Sequence, residues 1–106
     1  MQRKRLRFVG ASLDELRRWP EGARRKGGHQ LDQVQLGRDP DDWKPMKSIG
    51  SGVREIRIAE PDGAFRIIYL AKRPEAVYVL HCFRKKSQKT PKADIEKARA
   101  SLRALP

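Results

Sequence analysis

The chain is poor in cysteine, in acidic residues and in long apolar runs. Cys82 is the only cysteine among 106 residues, which excludes an internal disulfide and fits a reducing compartment. Cys82 lies in an apolar stretch, where a small buried thiol is the ordinary expectation. No apolar run approaches the length that spans a bilayer, and the basic start, Met1 to Arg7, is not followed by the apolar stretch of a signal peptide. A soluble, cytoplasmic protein with no membrane partner is expected. Histidine is also scarce: His29 falls in a polar stretch and reads as a surface residue, which leaves His81. No spacing of His, Cys, Asp and Glu matches a metal site, and there is no phosphate-loop glycine pattern and no Ser/His/Asp set. Neither a metal nor a cofactor is expected.

What the chain has in excess is positive charge. Lys and Arg total 25 against 13 Asp and Glu, a net charge of +12. A folded state so charged repels itself, and a polyanionic partner is the usual compensation. Nucleic acid, the ribosome, an anionic membrane or an acidic protein would each serve. Hydrophobic residues make up 38% and charged residues 36%. The apolar ones cluster in periodic runs, so a single folded domain over residues 1–106 is expected, with a small core.

Arg5 to Phe8 alternates as a short strand, ended by Gly10. Ser12-Leu13-Asp14-Glu15 has the form of a capping box, with Ser12 as N-cap of a short helix that stops near Trp19-Pro20. A second helix is expected from Glu21 to Leu36, with Ala23, Gly27, Leu31 and Val34 on one face. Gly27-Gly28 inside it costs roughly 1 kcal/mol per glycine and implies either close packing or a break. Residues 37–52 read as one loop, anchored by Trp43. Three strands follow, 53–59, 64–71 and 76–83, joined by Asp62-Gly63 and by a turn at 72–75. Thr90-Pro91 then opens a last helix, Thr90 as N-cap and Pro91 in its first position, with Ile95, Ala98, Leu102 and Leu105 as its apolar stripe. The expected fold is α+β: a small antiparallel sheet, the N-terminal strand plus a three-stranded meander, with two N-terminal helices and a C-terminal helix packed on one face.

Register gathers the charges. A two-residue turn at Asp62-Gly63 pairs Ala59 with Arg66, and a symmetric second turn places Arg66 opposite His81. Alternation then puts Glu55, Arg57, Arg66 and His81 on one face, with Val77, Val79 and Phe83. Tyr78, Leu80 and Cys82 fall on the other, with Ile56, Ile58, Phe65, Ile67 and Tyr69. Arg66 sits in an otherwise apolar run and needs a partner: either Glu55, in a cross-strand ion pair, or a phosphate. The basic run Arg84-Lys85-Lys86-Ser87-Gln88-Lys89-Thr90 continues from this face, and Lys44 and Lys47 can close its rim. RNA cleavage by the 2′-hydroxyl would suit such groups. His81 or Glu55 would move protons, Arg57 and Arg66 would stabilise the phosphorane, and Lys85 or Lys86 would grip phosphate.

The residues also carry a family resemblance over nearly the whole chain. It rests on Ser12-Leu13-Asp14-Glu15-Leu16-Arg17, Asp42-Trp43-Lys44-Pro45-Met46, Gly52-Val53-Arg54-Glu55-Ile56-Arg57 and Phe65-Arg66-Ile67-Ile68-Tyr69. Its most distinctive stretch runs from Leu80-His81-Cys82-Phe83-Arg84 to Thr90-Pro91. The sequence resembles the RelE/ParE toxin superfamily, in its phage-derived HigB-like subgroup. That resemblance implies the toxin of a type II toxin–antitoxin system: a metal-independent, ribosome-dependent messenger-RNA endonuclease. It would be silenced by an adjacently encoded antitoxin, expected to carry a helix-turn-helix domain. The family's cleavage groups fall on Arg57, Arg66, His81 and Lys85, with Glu55 and Lys47 beside them. Lys44, Lys47, Arg54, Arg84, Lys86 and Lys89 are the RNA-binding candidates. Some members use a tyrosine near the C-terminus, and this chain has none after Tyr78. Two other readings stay open: a non-enzymatic toxin of the ParE type that binds DNA gyrase, and a basic nucleic-acid- or ribosome-binding module without toxicity.

Overall fold

Residues 65–70, Phe-Arg-Ile-Ile-Tyr-Leu, are buried without interruption. A strand covered on one face alternates buried and exposed positions, whereas one covered on both reads as a continuous run. The computed structural model, which describes residues 2–86 and 89–106, has this second arrangement. Met1, and Ser87 and Gln88 of the basic run, lie outside the described residues.

In chain order the elements are β1 (Arg5–Phe8), α1 (Ser12–Arg17), α2 (Glu21–Gln35), β2 (Trp43–Pro45), β3 (Val53–Glu60), β4 (Gly63–Leu70), β5 (Ala76–Lys85) and α3 (Lys92–Arg103). The sheet has five strands in the order β1-β5-β4-β3-β2. It is mixed, because β1 runs parallel to β5 while the other pairs are antiparallel. The expected α+β class and its three helices are present. The four-stranded antiparallel sheet is corrected on two points: a fifth strand, β2, lies within the expected loop at 37–52, and β1 pairs in parallel.

Helices cover both faces, not one. Leu16, Trp19, Ala23, Leu31 and Val34 from the α1–α2 side pack on Ile56, Ile58, Phe65, Ile67, Val77, Val79 and Cys82. Ala98, Ile95 and Leu102 of α3 pack on the opposite side with Ile68, Leu70, Tyr78, Leu80 and Phe83. Each fully buried side chain of this kind is worth about 1.5–3 kcal/mol. Gly27 lets the α2 layer close: a Cβ there would lie 3.3 Å from Ile67 Cδ1 and 3.4 Å from both Leu16 Cδ1 and Trp19 Cζ3. The helix is therefore unbroken at Gly27, and the glycine is accounted for by side chains pressed against it.

The register differs from the sequence expectation. Glu60 pairs with Gly63 and Arg57 with Arg66, so the two-residue turn is Pro61-Asp62. This is a slip of two, which preserves faces. In the next pair Ile68 faces His81 and Arg66 faces Phe83, but Tyr69 faces Val79. Leu80 is thus an extra residue, a bulge that reverses the sides of everything before it in β5. Val77 and Val79 consequently join the α1–α2 core, and Tyr78 and Leu80 join the α3 core, the reverse of simple alternation.

Two expected caps have other roles. The residue before α1 is Ala11, and the Ser12 hydroxyl donates instead to the Val79 carbonyl at 3.1 Å. Pro91, not Thr90, occupies the N-cap position of α3.

Candidate functional site

The site is built around a carboxylate that water does not reach. Glu55 lies in β3, between Lys44 of β2 and Ile68 of β4 in register, and is 0% exposed. Burying a carboxylate requires compensation by charge and hydrogen bonds. Arg66 Nε lies 3.6 Å from Glu55 Oε1 and Lys44 Nζ lies 3.9 Å from it. Oε2 accepts a hydrogen bond from the Thr90 hydroxyl at 3.0 Å. Among the described residues Oε1 itself has no hydrogen-bond partner, and neither has Arg66 Nε. They form an ion pair without a hydrogen bond.

Arg66 is 8% exposed, and its Nη1 donates to the Phe65 carbonyl at 2.9 Å. Arg57 is its direct cross-strand neighbour, and like charges placed so disfavour each other. Burial lowers the proton affinity of Arg66, Glu55 opposes this, and Arg57 adds to the lowering. Lys85, at the end of β5, is half-buried. Its ammonium is held below its ordinary value, first by desolvation and then by the charge of Arg66, with Glu55 pulling the other way and Lys44 and Arg57 adding to the shift. Lys44, Arg57, Arg66 and Lys85 thus share one local field over the Glu55 carboxylate.

His81 borders this group but is engaged elsewhere. It is 5% exposed. Its Nε2 donates to Asp94 Oδ1 in the first turn of α3 at 2.7 Å, and its ring stacks on Phe83 with centroids 5.4 Å apart. The register sets it opposite Ile68, not Arg66. Lys47, Lys86 and Lys89 are exposed near the rim elements.

Arg54 and Arg84 are not brought to this face. Arg54 precedes Glu55 on the strand and points the other way, its guanidinium 3.9 Å from the Trp43 ring centroid and 2.9 Å from Asp39 Oδ1. Arg84 lies over the Phe65 ring at 5.3 Å and donates to the Asp62 carbonyl. Sequence reasoning missed Thr90 and Asp94 as partners of site residues. Their contacts are 35 and 13 positions distant in the chain, and both residues look locally like ordinary helix-start chemistry.

The model of the phage-derived Gp49-like proteins (DUF891) matches residues 14–103. The chain belongs to that family. The Gp49-like family is, in general terms, a RelE/toxin-like one, and the α+β fold is compatible with a small toxin-like domain. No curated protein matches the chain. The match includes every residue of the Gp49-like cluster just described, from Lys44 to Asp94. Among its described residues no group of His, Cys, Asp and Glu could hold a metal ion, and no helix is long and apolar enough to cross a membrane. The cations of the Gp49-like face can bind a phosphate and counter charge that develops on it.

Proposed function

We propose that this Gp49-like chain is the toxin of a type II toxin–antitoxin pair and cuts messenger RNA on the ribosome without a metal. The observation that carries the reading is the cross-strand pair Arg57 and Arg66, beside Lys85 and over a buried carboxylate. In the reaction the 2′-oxygen bonds to the adjacent phosphorus and the bond to the 5′-oxygen breaks. The 2′-hydroxyl gives its proton to water and the 5′-oxygen gains one, leaving a 2′,3′-cyclic phosphate and a 5′-hydroxyl. Arg57 and Arg66 counter the added charge on the phosphorane. Lys85, whose proton is less tightly held than that of an ordinary lysine, is the group we assign to proton transfer to the leaving oxygen. Glu55 is too deeply buried to touch RNA, and its carboxylate, 3.6 Å from Arg66 Nε, helps keep the buried guanidinium charged. The partners of this reading are the ribosome, messenger RNA and an adjacently encoded antitoxin with a helix-turn-helix domain, and its compartment is the cytoplasm.

The test is messenger-RNA end mapping after brief induction, beside Arg57→Ala and Lys85→Ala at equal protein level. Codon-phased cuts within translated frames, lost in both variants, are expected. One observation favours a second reading: the His81 ring is buried with its Nε2 held by Asp94, so it is not presented openly to a substrate as an acid or base. Growth arrest without codon-phased cuts would move the function to a non-enzymatic toxin such as a gyrase binder, and normal growth would move it to a nucleic-acid-binding module.

A further inference from the structure

The far side of the sheet carries a second concentration of charge. Arg54 and Tyr69 are cross-strand partners, and each adjoins on its strand a residue of the opposite face, Glu55 and Ile68 respectively, so both point away from the Arg57–Arg66 cluster. They line a cavity of about 280 Å³ together with Lys4, Arg38, Lys72 and Asp39. Against four cations the only carboxylate among its lining residues is Asp39, and Arg54 already pairs with it. Lys4 Nζ donates to the Ala71 carbonyl. The Arg38 and Lys72 side chains have no counter-ion among the described residues.

A structural explanation for these cations is the nearby C-terminal end of α2, whose carbonyls attract positive charge. Those carbonyls are already satisfied by backbone: Gln33 by Arg38 N–H, Val34 by Gly37 N–H, and Gln35 by Lys4 N–H. The cations are not needed there.

The second observation is Tyr69. It is 1% exposed; the Arg54 guanidinium donates toward its oxygen, and the phenolic hydrogen has no acceptor among the described residues. A buried hydroxyl left so is costly. The neighbouring Arg54 guanidinium can only donate, so even where it approaches the phenol oxygen, the phenolic hydrogen still wants an acceptor. An unaccepted phenolic hydrogen at the cavity wall, with Arg54 beside it and Lys4, Arg38 and Lys72 around it, favours an anionic oxygen.

We infer that this cavity is a phosphate-binding site separate from the cleavage face, with Tyr69 and Arg54 as the inner donors and Arg38 and Lys72 as the outer cations. The phosphate is either one in a strand of RNA distant from the scissile bond or a free phosphate. The sheet stands between the two sites, so adjacent phosphates of one short segment cannot occupy both. The inference extends the proposed function, but its test needs neither ribosome nor cleavage, so either can fail alone.

The test follows backbone amide NMR shifts at Gly37, Gly52 and Ala71 while inorganic phosphate, or a short single-stranded RNA, is added at fixed ionic strength. The variants are Tyr69→Phe, which removes only the hydroxyl, and Arg38→Ala with Lys72→Ala, both at exposed positions. Saturable shifts with inorganic phosphate, weakened about tenfold in each variant, would establish the site and identify free phosphate as sufficient. Shifts with RNA alone, equally weakened, would assign it to the RNA backbone. The inference is overturned if neither probe moves these amides, or if the variants titrate as the parent does.

Discussion

The Thr90 hydroxyl donates to Glu55 Oε2 at 3.0 Å, joining the start of α3 to the buried carboxylate on β3. Together with the bond from His81 to Asp94, it fixes where α3 enters across the sheet. Because Oε1 has no hydrogen-bond partner among the described residues, losing the Thr90 hydroxyl leaves a buried carboxylate with ion pairs only. Thr90→Val, which keeps shape, is expected to lower stability by about 1–3 kcal/mol, and Thr90→Ser to recover most of it. Urea unfolding at neutral pH measures both, and equal midpoints for Thr90→Val and the parent would remove the contact from the account.

Arg57 and Arg66 face each other but carry different burdens. Arg66 is buried beside Glu55, so Arg66→Ala leaves that carboxylate, among the described residues, with the Thr90 hydrogen bond and the Lys44 ion pair at 3.9 Å. A loss of roughly 3 kcal/mol is expected, and with it a loss of toxicity that reports unfolding as much as chemistry. Arg57 is half-exposed, and Arg57→Ala is expected to change stability by no more than about 0.5 kcal/mol. Adding Glu55→Gln to Arg66→Ala should restore part of the loss, as seen by the same unfolding measurement. A stable Arg66→Ala protein would show that the ion pair contributes little.

The adjacent glycines of α2, Gly27 and Gly28, separate by what surrounds them. Gly28 is exposed, with nothing within 4 Å of a Cβ built on it, so Gly28→Ala should stabilise by about 1 kcal/mol through helix propensity. Gly27 is pressed by Ile67, Leu16 and Trp19. Gly27→Val should destabilise by about 1–3 kcal/mol through overpacking. Thermal melts of the two variants should move in opposite directions, and a shared direction would contradict the packing described here.

Much of this was legible from residue patterns, and the failures have physical causes. Helix α2, the stripe Ile95, Ala98 and Leu102 on α3, and buried Cys82 follow from periodicity and apolar context. The grouping of Glu55, Arg57 and Arg66 survived an incorrect turn because the slip was by two. The placement of Val77 to Leu80 did not survive, because a bulge leaves no local mark in an apolar strand. One-sided coverage was wrong although the uninterrupted run of β4 carried the opposite signal. Ser12 and Thr90 have cap-forming side chains at helix starts, but each hydroxyl found a distant partner, Val79 and Glu55, and no local motif encodes that choice.

Lys85 gives a prediction in which stability and activity part. Its ammonium is held below the ordinary value of 10.5, chiefly by desolvation and then by Arg66. A lysine easier to deprotonate in the folded state than in the unfolded chain penalises folding. The penalty is constant below the lowered value and disappears as pH rises from there through 10.5. Lys85→Met keeps the apolar stem and removes the charge. At neutral pH it should unfold at higher urea concentration than the parent, and the difference should shrink as the pH is raised through that window. Toxicity should fall in the same variant, because the ammonium that costs stability is the one assigned to the leaving oxygen. Should Lys85→Met be less stable at neutral pH, the charged Lys85 ammonium does not penalise folding. Should it be more stable and equally toxic, proton transfer belongs to another group.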